Sequence, residues 1–157
     1  MAEDPDVDSR LKELGIELPA PPSPVGAYVA VRRSGNLLFV SGQIPLAEGK
    51  PRFLGKVGAE LTLEEGKEAA RLCALNALAQ IRKALGGWKG FRGIVRVSGY
   101  VAGSGDFTGQ AQVMDGASEF FAWALGDQGA HARLAMGVSQ LPLGVPVELE
   151  VIAEVSA

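Results

Sequence analysis

The chain has 157 residues, 47% hydrophobic and 21% charged, with a formal net charge of −3. That suits one globular domain with a sizeable core and, with no basic block, argues against nucleic acid or an anionic membrane surface as a partner. One cysteine, Cys73, excludes an intrachain disulfide, one histidine, His131, argues against a multi-histidine metal centre or a two-histidine ribonuclease mechanism, and the acidic start reads as no leader peptide, so the expected compartment is the cytoplasm.

Residues 1–24 read as an N-terminal arm ahead of a single domain at 25–157. Within the arm, 9–14 suits a short helix closed by Gly15, and the proline-rich run 19–24 forces an extended path. Two apolar runs, 28–32 and 36–43, flank Arg33-Ser34-Gly35 and predict a β-hairpin. Strict alternation would put Leu38, Val40, Gly42 and Ile44 on one face and Leu37, Phe39, Ser41 and Gln43 on the other. A Gly- and Pro-rich connector follows over 45–58.

Thr62-Leu63-Glu64-Glu65 is a capping box, and the helix it opens runs to about Leu85, where Gly86-Gly87 ends it. Its apolar stripe is Ala70, Cys73, Ala74, Ala77, Leu78, Ile81, Ala84 and Leu85, at spacings of three and four. Cys73 lies in that stripe and reads as core rather than nucleophile.

A β-rich run, 94–102, precedes a glycine-rich turn and a second helix over 108–125, with Val113, Ala117, Phe120, Phe121, Ala124 and Leu125 facing inward. The turn's Gly103, Gly105 and Gly109 approach a dinucleotide fingerprint, but the spacing is one residue too long and the strand sits too late in the chain. It reads as a turn and helix cap. Two strands finish the chain, 132–140 and 146–155. In the last, Val147, Leu149, Val151, Ala153 and Val155 point one way and Glu148, Glu150, Ile152 and Glu154 the other.

The order strand, strand, helix, strand, helix, strand, strand describes an α+β domain: two helices on one face of a mixed sheet. The other face, with Leu37, Phe39 and Tyr100, suits a partner subunit.

Arg133 opens the penultimate strand, and the turn 141–146 returns the chain to Glu148. If these two strands pair, a guanidinium and a carboxylate meet near one sheet edge. Guanidinium clamps a planar carboxylate with two parallel hydrogen bonds, and a nearby carboxylate can orient or deprotonate water. A plain cross-strand ion pair explains the same residues, and both readings stand at this point.

At these residues the chain resembles the YjgF/RidA family, also known as L-PSP endoribonuclease-like. The marks are Gly26-Ala27-Tyr28, Leu38-Phe39-Val40-Ser41-Gly42-Gln43-Ile44-Pro45, the helix through Ala74-Leu75-Asn76-Ala77-Leu78, Asp106-Phe107, Phe120-Phe121, His131-Ala132-Arg133, Leu141-Pro142 and the run from Val147 to Ala153, over residues 22–155.

The resemblance implies a chorismate-mutase-like fold and a homotrimer whose sheets pack into a barrel with clefts between subunits. It implies hydrolysis of reactive 2-imino or enamine acids to 2-keto acids and ammonia, with no metal or organic cofactor. Carried over by position, Arg133 would hold the substrate carboxylate and Glu148 would activate water. Tyr28 and Ser41 would line the cleft, with backbone hydrogen bonds near Gly42 and Ala135. The sequence departs from the deaminase branch in four places. Met114 or Asp115 stands where an asparagine is common, Ala135 where cysteine is, and His131 where proline is, and the arm is longer. A non-catalytic trimeric binder of small carboxylates is the alternative. The ribonuclease reading is disfavoured by the charge and the lone histidine.

Overall fold

A computed structural model describes residues 6–157. Helix α1, Val7–Glu13, has its N-terminus capped by the Asp6 carboxylate, which accepts from the Ser9 amide at 3.1 Å. Val7 and Leu11 project from it into the same apolar cluster that forms the body's core.

The predicted hairpin forms as β1, Val31–Ser34, and β2, Leu37–Gln43, starting three residues later than the apolar run suggested. A minor hairpin, β3 (Leu46–Ala47) and β4 (Lys50–Pro51), occupies the connector. Helix α2, Leu63–Leu85, opens on the capping box: Glu65 N–H donates to Thr62 Oγ1 at 3.1 Å, and Thr62 N–H to Glu65 Oε2 at 2.7 Å. It closes on Gly86 in the left-handed region at φ 66°. Strand β5 is Phe91–Ala102, α3 is Gln110–Leu125, β6 is Ala132–Val138 and β7 is Val147–Val155.

The five-stranded sheet has the order β1-β2-β7-β5-β6, with β5 and β6 parallel and every other pair antiparallel. Helices α2 and α3 cover one face. The inward residues of β7, Val147, Leu149, Val151, Ala153 and Val155, are all buried, as the alternation predicts. Burying each valine or leucine of this row is worth roughly 1.5–3 kcal/mol. The helices approach closely because Gly116 of α3 lacks a side chain: a Cβ there would lie 2.1 Å from the Lys67 carbonyl oxygen of α2. The α2 stripe is buried from Ala70 to Ile81, but Ala84 is exposed and Leu85 only partly covered. The glycine-rich segment before α3 is a turn in which the Ser104 hydroxyl donates to Asp106 at 3.1 Å.

Two expectations are corrected. The last two strands do not pair, because β5 lies between β6 and β7. The alternation of β2 also fails past Val40. A register shift between Val40 and Gln43 turns Gln43 inward and leaves Gly42 on the exposed side.

The uncovered sheet face carries apolar side chains among its charges, with Phe39 42% and Met136 46% exposed. Among the described residues, no helix is long and apolar enough to cross a membrane.

Candidate functional site

The bulge in β2 and the alternation of β7 bring two sequence-predicted residues together. Gly42 faces Glu148 so closely that a Cβ on Gly42 would lie 2.7 Å from Glu148 Oε1. Both line a cavity of about 420 Å³, with Pro22, Pro24 and Tyr28 ahead of β1, Gln43 and Ile44 at the end of β2, Gln80 of α2, and Leu143 of the β6–β7 connection. Most of this lining is apolar.

Glu148 is half-buried, and among the described residues its carboxylate accepts no hydrogen bond. Burial raises its pKa, and the neighbouring Glu150 carboxylate raises it further. A carboxylate held this way is a stronger base than one in water and has a free lone pair for a proton.

The arm becomes a wall of the cavity through polar anchors that the sequence did not announce. Gln80 Nε2–H donates to the Pro22 carbonyl at 2.7 Å and, more weakly, to Gln43 Oε1 at 3.5 Å. Gln43 in turn donates to the Ser41 carbonyl at 3.0 Å. One turn earlier on α2, Asn76 donates to the carbonyls of Ile44 and Leu46 at 3.2 and 3.0 Å, fixing the exit of β2. The available signal was the helical period itself: Asn76 and Gln80 are four apart, beside an otherwise apolar stripe.

Ser41 is placed differently from its carried-over role. It is not among the residues lining the cavity, and its hydroxyl donates to the Val29 carbonyl at 2.7 Å. Its amide donates to the Ala30 carbonyl, so Ser41 ties down the segment that carries Tyr28. The Tyr28 hydroxyl accepts from the Val25 amide at 3.2 Å.

Arg133 and Ala135 lie elsewhere. They belong to β6, an edge strand, where Arg133 pairs with Val97 and Ala135 with Gly99. Val97 pairs onward with Val151, and Glu148 with Tyr100. Arg133 and Glu148 are therefore two strands and three residues apart. An odd offset puts them on opposite faces of the sheet. The clamp expected from a β6–β7 hairpin does not exist within one chain.

Instead, Arg133 folds back onto α3. Its Nη1 donates to Asp115 Oδ1 at 2.8 Å and to Ser118 Oγ at 3.1 Å, and its Nη2 donates to the Ala111 carbonyl at 3.3 Å. The carboxylate partner is Asp115, one of the two residues noted in place of the common asparagine.

Cys73 is fully buried under β7, its Sγ 3.7 Å from the Val147 carbonyl oxygen. Burial first, and then the Glu148 charge, push its thiol pKa well up. It is unsuited to act as a thiolate. Among the described residues, no three His, Cys, Asp or Glu side chains gather as a metal site requires.

Comparison with known proteins agrees with this architecture. The family model described as "YjgF/chorismate_mutase-like, putative endoribonuclease" matches residues 8–155. Protein TCP17 of Trypanosoma cruzi is 40% identical over 151 residues, covering 96% of this chain and 94% of its own. The crystal structure of Atu1372 from Agrobacterium tumefaciens, of unknown function, superposes with a TM-score of 0.89 at 41% identity, covering 96% of this chain and 92% of that one. E. coli TdcF, solved with bound serine, is more distant, with a TM-score of 0.61 at 26% identity over 87% of this chain and 94% of its own. Fold, sequence and family model coincide over nearly the whole chain, which belongs to the YjgF/chorismate-mutase-like family.

Proposed function

We propose that this protein hydrolyses reactive 2-imino or enamine acids to 2-keto acids and ammonia, in clefts between the subunits of a homotrimer. The observation that carries this reading is Glu148: a half-buried carboxylate of raised pKa, open to a largely apolar cavity and backed by Gly42. Glu148 takes a proton from water as the water oxygen attacks C2 of the imine. Glu148 returns that proton to nitrogen, giving a carbinolamine. It then takes the proton of the new hydroxyl and delivers it to the nitrogen as the C–N bond breaks, so that ammonia leaves and the C2–O bond becomes a carbonyl. Imines hydrolyse without a catalyst, so a held electrophile and a placed base suffice.

Arg133 supplies the carboxylate clamp. Since it lies on the opposite face from Glu148 within one chain, the site is completed by a second copy, the β6 edge of one subunit meeting the Glu148 cavity of its neighbour. The half-apolar open sheet face, with Phe39 and Met136, supports such packing. Bound serine in the related TdcF is in keeping with a ligand bearing an α-carboxylate.

The test is competition between the protein and semicarbazide for imines made in situ from an amino-acid panel by an amino-acid oxidase. Faster keto-acid release by wild type, lost in Glu148→Gln, is the expected result. Keto-acid binding without turnover on any member of the panel would instead make the protein a binder of small carboxylates.

A further inference from the structure

The chain's single histidine is wired to Arg133. His131 Nδ1 lies 2.6 Å from the Gly129 carbonyl oxygen, and its Nε2 lies 2.9 Å from Ser118 Oγ. A carbonyl only accepts, so Nδ1 carries the proton and Nε2 of the neutral ring is a bare lone pair. The Ser118 hydroxyl must then donate to Nε2, which turns its own lone pairs toward the Arg133 Nη1–H at 3.1 Å. Asp115 takes the second Nη1–H, and Ala111 takes one from Nη2. Among the described residues, this leaves Nε–H and one Nη2–H of the five guanidinium donors, two neighbouring donors that a carboxylate can bridge. The ring is itself fixed, edge-on to Phe121 with centroids 5.7 Å apart.

We propose that Ser118 and His131 are positioning residues, a relay running from the Gly129 carbonyl through the Nδ1–H tautomer of His131 and the Ser118 hydroxyl to Arg133, which sets the guanidinium for a ligand carboxylate. The inference rests on the reading of Arg133 as that clamp. It gives His131, which stands where the deaminase branch has proline, a role acting through Ser118 rather than on substrate.

Because His131 is the only histidine, its ring nitrogens can be read in isolation by 15N NMR at alkaline pH, with 2-oxobutanoate as the probe ligand. The expected spectrum is the Nδ1–H tautomer, with ring shifts that move on adding 2-oxobutanoate and do not move in Arg133→Ala. Calorimetric titration should show Ser118→Ala and His131→Phe each weakening 2-oxobutanoate binding about threefold to tenfold, since each acts on the ligand only through the guanidinium's orientation. The double variant should do no worse than either single one, because both cut the same chain. Ser118→Thr, which keeps the hydroxyl, should restore binding. An Nε2–H tautomer overturns the relay. So does a Ser118→Ala variant that binds as wild type does while Arg133→Ala binds weakly. Equal binding by wild type and Arg133→Ala overturns the clamp reading, and the relay with it.

Discussion

Gly42 stands against Glu148 with no space for a methyl group, since a Cβ would lie 2.7 Å from Oε1 and 3.1 Å from Cδ. The obstructed atoms are the far end of a flexible side chain, so Gly42→Ala should fold normally and swing the carboxylate away. The expected result is a melting temperature within a few degrees of wild type and imine hydrolysis reduced about tenfold to a hundredfold, as a small misplacement of a base costs. A variant with wild-type turnover would show that the contact does not set the carboxylate's position.

Glu148→Gln separates the chemistry from the stability. Losing a general base costs about 10²–10⁴ in kcat. Stability moves the other way. The carboxyl pKa is raised on folding, so the native state holds its proton to higher pH than the unfolded chain does. Ionising Glu148 therefore costs stability, and that loss develops as pH rises from the ordinary carboxylate range through the raised folded value. Glu148→Gln removes the cost, so it should melt at a slightly higher temperature than wild type at neutral pH, with the gap closing as pH falls toward 4. Thermal melts across that range, paired with turnover at each pH, give the check.

The features read correctly from sequence are those decided by near neighbours along the chain. The Thr62–Glu65 capping box needs three residues of separation, and the inward row of β7 needs only its own period. Of the residues singled out from sequence, Tyr28, Gly42 and Glu148 line one cavity, whereas Ser41, Arg133 and Ala135 do not. Arg133 and Glu148 sit on strands adjacent in sequence, which favoured a hairpin, yet β5 intervenes because its long apolar run pairs with both. Nothing local to Ser41-Gly42 announces the bulge that turns Gly42 onto Glu148. The Asp115 partner of Arg133 depends on how α3 crosses β6, a tertiary fact with no short-range signature.

Cys73→Ala tests the core assignment. The thiol is fully enclosed under Val147, and burial raises its pKa well above the ordinary thiol value. The variant should lose about 1 kcal/mol for a small cavity and keep its turnover. Denaturant titration beside the imine assay measures both, and complete loss of turnover in a folded variant would mean a catalytic thiol.

Gly116→Ala probes the α2–α3 contact. The added methyl would collide with the Lys67 carbonyl oxygen at 2.1 Å, and backbone cannot swing aside as a side-chain tip can. The helices must separate, at about 1–3 kcal/mol. The midpoint of denaturant unfolding should fall accordingly. An unchanged midpoint would show that the crossing absorbs the methyl without strain.

The placement of Arg133 and Glu148 on opposite faces makes the strongest demand on the proposed assembly. If each site takes Glu148 from one subunit and Arg133 from the next, Arg133→Ala and Glu148→Gln homotrimers should both be nearly inactive, while mixed trimers should not. A subunit carrying Arg133→Ala still offers an intact Glu148 cavity, and one carrying Glu148→Gln still offers an intact β6 edge. Random equimolar mixing in a ring of three pairs these intact halves at about a quarter of the interfaces, so co-expressed chains should recover about a quarter of wild-type turnover. A site built within one chain predicts no recovery, since every chain carries one lesion. Sedimentation equilibrium on the same samples supplies the second half of the test. A monomer at micromolar concentration, or trimers that never regain turnover on mixing, would rule out a shared site and leave Arg133 as the Asp115-paired strut it forms within one chain.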